Sequence, residues 1–155
     1  MSNKAKFENY KFLRLHSVDM NTALGTLKML KRYRRDDIKV ALLRDIAVIY
    51  SRPFSGNRGK TGKHFLSESK YVPAEYLDLH DRLLDLRNKQ FAHTDATFHD
   101  PKFMKWKGDK GVAFPMSFKT FDYLGLLRDL KKVEALIKSV ESNINSAARE
   151  YEKDF

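Results

Sequence analysis

Apolar residues recur at helical spacing in four stretches of the chain. Met20, Leu24, Leu27 and Leu30 follow one another at steps of three and four, and Asp19 is placed to cap, which predicts a first helix over 19–33. Gly25 weakens it by about 1 kcal/mol relative to Ala. Asp36 and Asp37 supply negative charge at the start of a second helix over 36–50, and 10 of the 13 residues from Ile38 to Tyr50 are apolar on nearly every face, as expected of a central, buried helix. Pro53, Gly56, Gly59 and Gly62 interrupt all periodicity, so 51–73 reads as a long loop. After Pro73, the stripe Tyr76, Leu79, Leu83, Leu86 and Gln90, widened by Leu84 and Phe91, predicts a third helix over 74–91. The period then changes to two. Met104 and Trp106 alternate with Lys105 and Lys107, Gly-Asp-Lys-Gly makes a turn, and Val112 and Phe114 alternate before Pro115, which predicts a hairpin within 103–118. From 120 to 153, Phe121, Leu124, Leu127, Leu130, Val133 or Glu134, Ile137, Val140, Ile144 and Ala147 or Ala148 give a long last helix. The expectation is an all-α fold: a four-helix bundle in one domain over 1–155, with a long basic loop and a small hairpin inserted before the last helix.

Composition narrows the chemistry. The chain has 155 residues and no cysteine, which excludes disulfides, zinc–thiolate clusters, iron–sulfur sites and a cysteine nucleophile. The first residues mix Lys, Glu and Asn with single aromatics and lack the apolar stretch of a secretory signal. The most apolar window, Val40 to Tyr50, contains Arg44 and Asp45 and falls short of the roughly 20 residues that span a bilayer. A cytoplasmic protein without a membrane partner is expected.

Thirty Lys and Arg against 20 Asp and Glu give a net charge of +10, which favours an anionic partner such as nucleic acid. Residues 119–155 are balanced, seven charges of each sign, with pairs such as Lys131 to Glu134 and Lys138 to Glu141 expected along the helix face. The positive excess peaks between Ser51 and Pro73, where Arg52, Arg58, Lys60, Lys63 and Lys70 oppose a lone Glu68. That stretch contains Gly56-Asn57-Arg58-Gly59-Lys60-Thr61-Gly62-Lys63, which fails as a nucleotide-binding P-loop on register and follows a helix rather than a strand. It reads instead as a phosphate-backbone contact or a solvated loop. Lys89 is a further candidate phosphate contact. Trp106, between Lys105 and Lys107, is either a base-stacking position or a hairpin core residue. His64, His80 and His99 share no metal-ligand spacing, and no metal or other cofactor is expected.

The third helix ends in Leu86-Arg87-Asn88-Lys89-Gln90-Phe91-Ala92-His93-Thr94-Asp95. RNA cleavage without a metal needs a base for the 2′-hydroxyl proton, an acid for the leaving 5′-oxygen and a cation for the phosphorane. His93 titrates near neutrality and Arg87 offers a permanent, bidentate cation, so both suit those needs. Asn88 could orient the phosphate or hold the imidazole. Asp95, Thr94 and His80, which is seven residues before Arg87 and so on one helix face with it, are possible orienting groups. The competing structural reading pairs Arg87 with Asp85 or Asp95 and lets His93 cap the helix C-terminus.

Arg-Asn, four residues, then His at the end of a bundle helix resembles the R-N-x4-H signature of the HEPN superfamily, and RNKQFAHTD resembles its abortive-infection branch. The resemblance implies a helical bundle across most of the chain. It also implies a metal-independent ribonuclease of toxin–antitoxin or phage-defence type, with Arg87, Asn88 and His93 as catalytic residues, RNA as substrate and an antitoxin or defence-system protein as a possible partner. Other members of the superfamily are non-catalytic, and the alternative expectation is a non-catalytic HEPN-like module that binds nucleic acid or a protein partner. The resembled toxins silenced by nucleotidylation carry a tyrosine two residues after the histidine, where this chain has Asp95. In an α-helix, Arg87 and His93 lie about 120° apart in azimuth and about 9 Å apart along the axis. They converge if the helix ends near Phe91, if the arginine bends down, or if a second chain brings its own motif alongside. The resemblance implies the last, a homodimer.

Overall fold

The computed structural model describes residues 3–60, 62–92 and 99–153. His93, Thr94 and Asp95, Thr61, and the side chains of Gln90, Phe91, Ala92 and Leu124 lie outside the described residues. The chain is mostly helical, in keeping with the all-α expectation, and no described helix is long and apolar enough to cross a membrane.

Helix α1 runs Asn3–Leu30, so it starts 16 residues before the predicted boundary at Asp19 and ends before 33. The buried positions Leu13, Ser17, Met20, Ala23, Leu27 and Leu30 form one stripe, and His16 sits beside it. A serine within that stripe and a histidine beside it, among many charges, hide its upstream half from a hydrophobicity count. Asp19 is therefore not a cap. It lies in mid-helix and pairs with Arg52 at 3.3 Å.

Helix α2, Asp36–Ser51, returns beside α1 and buries Leu43, Ile46, Ala47, Ile49 and Tyr50. It is central, as expected, yet Arg44 and Asp45 keep one side exposed, and Asp45 accepts a hydrogen bond from Thr26 Oγ1 at 2.8 Å. The predicted loop is only partly a loop. It contains a 3₁₀ turn at Arg52–Phe54, a minimal antiparallel pair of strands β1 (Asn57–Arg58) and β2 (Lys63–His64), and a short helix α3 (Glu68–Tyr71).

The third predicted helix divides into three segments: a 3₁₀ turn at Ala74–Tyr76, helix α4 at Leu77–Leu86, and a π-helical turn at Arg87–Ala92. Four short strands follow, β3 (Lys102–Phe103), β4 (Trp106–Gly108), β5 (Gly111–Ala113) and β6 (Met116–Ser117). The pairs Lys102↔Ser117, Phe103↔Met116, Trp106↔Ala113 and Lys107↔Val112 share one register, so this is a single hairpin. Its ladder is interrupted at Pro115, which has no N–H to donate.

The last helix begins at Tyr123 rather than 120 and breaks at Asp129, giving α5 (Tyr123–Arg128) and α6 (Leu130–Glu152). Asp122 caps α5 by accepting from the Gly125 N–H at 2.8 Å. A Cβ on Gly125 would lie 2.1 Å from that carboxylate, so a larger residue there would make the Asp122 side chain shift. The break shifts the apolar stripe: Leu126 is buried rather than Leu127 or Leu130, and the stripe resumes at Val133, Ile137, Val140, Ile144 and Ala148.

Helix α6 lies antiparallel to α1, as shown by Tyr10 with Glu152, Ser17 with Asn145 and Lys31 with Glu134. Glu134 is thus shared between Lys31 and Lys138, in place of the expected pair with Lys131. The two cations hold its carboxyl down at about 2, Lys138 first. Helix α4 packs on α2 and α6, with Leu83 and Leu86 completely buried or nearly so.

Candidate functional site

The residues of the Arg-Asn motif sit where the third helix changes pitch. Leu83 and Leu86 anchor the end of α4 in the core, and the Arg87 N–H reaches both the Leu83 and Leu84 carbonyls as the α-helical ladder gives way to the π-helical turn. In a π-helix each residue advances the turn by less than in an α-helix, so the 120° separation calculated for a regular helix does not apply across Arg87–Ala92. Such turns are frequent at functional sites.

The turn carries Arg87, Asn88 and Lys89. Arg87 is half-buried and donates from its guanidinium to Asn88 Oδ1 at 2.7 Å. Of the two structural partners expected for Arg87, Asp85 is instead paired with Lys89 at 2.7 Å, one turn ahead of it on the helix, and Asp95 lies outside the described residues. Among the described residues no carboxylate pairs with Arg87. A guanidinium held by a neutral amide keeps its full charge and its remaining N–H groups for an anion.

His80 is placed differently. It is 0% exposed, and its Nδ1 is 2.8 Å from the Tyr50 hydroxyl, while the Tyr50 and Phe54 rings meet it edge-on. Burial pushes the Tyr50 phenol up, so the hydroxyl stays neutral. The other ring nitrogen, Nε2, faces Glu68 at 3.4 Å. Both nitrogens are thus directed at α2 and α3, and none is aimed along α4 at Arg87. Among the described residues Glu68, His80 and Asp81 could hold a metal ion, a grouping that His spacing alone does not signal because Glu68 comes from the loop.

The basic loop lies elsewhere. β1 and β2 dock on the first half of α1, where the His64 ring stacks on Phe12 at 4.1 Å and its Nε2 is 3.3 Å from Glu8. Gly59 allows this approach, since a Cβ there would lie 2.0 Å from the Glu8 carboxylate. Arg58, Lys60 and Lys63 are exposed, and Arg52 is tied to Asp19. Beneath the loop is a cleft of about 240 Å³ lined by Asn9, Phe12, His16, His64, Tyr71 and Tyr151. His16 is buried there, and desolvation lowers its pKa despite Asp19 at 3.9 Å. This cleft escapes sequence reasoning because His16 lies in a segment that carries no helix signal of its own.

The β1–β2 part of the loop therefore sits where α1 begins and α6 finishes. Arg82 of α4 reaches Asp129 at 3.5 Å, at the opposite end of α6, and the Arg87 turn continues from that helix. Against known proteins, no family model matches the chain, and neither a curated protein nor a solved structure matches it.

Proposed function

We propose that the chain is a HEPN-like, metal-independent endoribonuclease of phage-defence or toxin–antitoxin type, acting in the cytoplasm as a homodimer with a four-helix bundle core. The observation that supports it most is the Arg87 guanidinium, held on the π-helical turn by Asn88 and paired with no carboxylate among the described residues. In this reading His93 moves the proton, Arg87 stabilises the phosphorane and Asn88 positions the phosphate through the guanidinium it already holds. The 2′-oxygen attacks phosphorus, the bond from phosphorus to the 5′-oxygen breaks, and the leaving oxygen takes a proton. The products are a 2′,3′-cyclic phosphate and a 5′-hydroxyl. Arg58, Lys60 and Lys63 gather more distant parts of the same RNA, or RNA bound by the second chain.

The test is cleavage of mixed cellular RNA in EDTA by the wild type beside Arg87→Ala and His93→Ala, each checked for helicity by circular dichroism. The wild type cuts, and each folded variant loses at least about a hundredfold in rate, the usual contribution of one acid–base or oxyanion group. Cleavage that persists in both variants removes the motif from the chemistry.

A second reading, a non-catalytic module binding nucleic acid, is favoured by the hairpin. Phe103, Trp106 and Phe114 are exposed there among Lys102, Lys105, Lys107 and Lys110, a combination suited to stacking bases and contacting phosphates. It predicts RNA binding that weakens steeply with salt and no cleavage.

A further inference from the structure

We propose that Glu68, His80 and Asp81 form a binding site for a divalent transition-metal cation, zinc before others, which clamps the loop helix α3 to α4. The inference goes beyond the ribonuclease reading and does not depend on it.

The starting point is an orphaned atom. His80 is completely buried, its Nδ1 is satisfied by the Tyr50 hydroxyl at 2.8 Å, and its Nε2 has no hydrogen-bond partner. A buried polar atom left in that state is costly, and native proteins seldom keep one without a role. Nε2 faces the Glu68 carboxylate at 3.4 Å, and one ligand atom from each of Glu68, His80 and Asp81 lies within 4.8 Å of the other two.

The Glu68–His80 spacing suits an ion better than a direct bond. Glu68 Oε1 stands 3.4 Å from Nε2, longer than the roughly 2.7–2.9 Å of a charge-assisted hydrogen bond. In a tetrahedral site with ligand bonds of about 2.0–2.2 Å, neighbouring ligand atoms are separated by roughly 3.4 Å. Three protein ligands leave the fourth position to water, on the exposed side where Glu68 and Asp81 lie.

The surroundings orient the ring for this task. The Tyr50 hydroxyl, 2.8 Å from Nδ1, can accept from an Nδ1–H, and a cation on Nε2 would select that tautomer, with the lone pair on Nε2. Tyr50 and Phe54 pack edge-on against the imidazole and fix its plane. Two carboxylates and a neutral imidazole balance a dication. The nitrogen ligand selects zinc or a neighbouring transition metal over magnesium or calcium, which take oxygen ligands.

The experiment uses the full chain, stripped with EDTA and dialysed, then titrated calorimetrically with zinc chloride and melted with and without the metal. One saturable zinc site and a melting temperature raised by several degrees are expected, with no response to magnesium. Glu68→Gln and Asp81→Asn change exposed carboxylates and leave the core intact. Each weakens the zinc site at least about tenfold and abolishes the rise in melting temperature. Absence of saturable binding overturns the proposal, and so does zinc binding that survives Glu68→Gln unchanged, since it then belongs to other histidines. Neither readout involves RNA, so failure here leaves the ribonuclease reading standing, and loss of that reading leaves the metal site standing.

Discussion

The helical body and the hairpin spend similar side chains in opposite ways. Leu43, Ile46 and Leu136 are completely buried where α1, α2 and α6 meet, whereas Phe103 is 72% exposed and Phe114 62% exposed on the β3–β6 hairpin. A helix needs only one apolar stripe to join a core, and the stripes of α1 and α6 mate along nearly their whole length. A two-stranded ribbon has two faces and no second layer of its own, so its apolar residues stay available for contact. The difference shows that apolar content alone does not locate the core; the layer that covers it does.

The largest effect that tests this contrast is a pair of truncations followed by urea unfolding. Leu136→Ala, which empties a fully buried position, costs about 2–5 kcal/mol. Phe114→Ala on the hairpin changes stability by no more than about 0.5 kcal/mol. A Phe114→Ala loss as large as that of Leu136→Ala would mean that the hairpin is covered in solution.

Acidification sharpens the contrast, because the body holds His16 with a lowered pKa and the hairpin has no such group among its described residues. The neutral form of His16 is favoured in the fold. Its contribution is complete above the ordinary value of 6.5 and is lost as pH falls through and below that value, where the unfolded chain takes the proton first. Glu134, held at about 2 against an ordinary 4.5, is stabilising above 4.5 and loses its contribution only as pH falls from there towards 2. Urea midpoints at about pH 7 and about pH 5.5 therefore fall in the wild type, and fall less in His16→Gln. Equal losses in both chains would place the acid sensitivity elsewhere.

The smallest effect concerns the solvent face of the body. Gly25 is exposed in α1, and a Cβ there meets nothing within 4 Å. Gly25→Ala stabilises by up to about 1 kcal/mol through helix propensity, read as a higher melting temperature.

How much could be read from the residues follows from the same physics. The start of α2 at Asp36, the boundary at Pro73 and the hairpin turn at Gly-Asp-Lys-Gly were visible because Asp, Pro and Gly act on their own backbone. The first half of α1 was hidden, since Ser17 and His16 occupy inward positions that become favourable only once Asn145 and the cleft are present. Part of the candidate site was equally visible: Arg87, Asn88 and Lys89 are neighbours in the chain, and their clustering needs no folding. Their partners were not. That Asp85 goes to Lys89 and Asn88 to Arg87 depends on the pitch of the turn at Arg87–Ala92, which no periodicity announces.

Periodicity, charge and turn residues thus account for the helical class, the hairpin and the Arg-Asn motif, because each acts within a few residues. The docking of β1 and β2 on the first half of α1 arises from how the chain closes on itself. So does the meeting of Glu68 with His80 and Tyr50. Such contacts join residues far apart in the chain, and the free energy that selects them comes from burying several stripes at once, a quantity no single stripe carries.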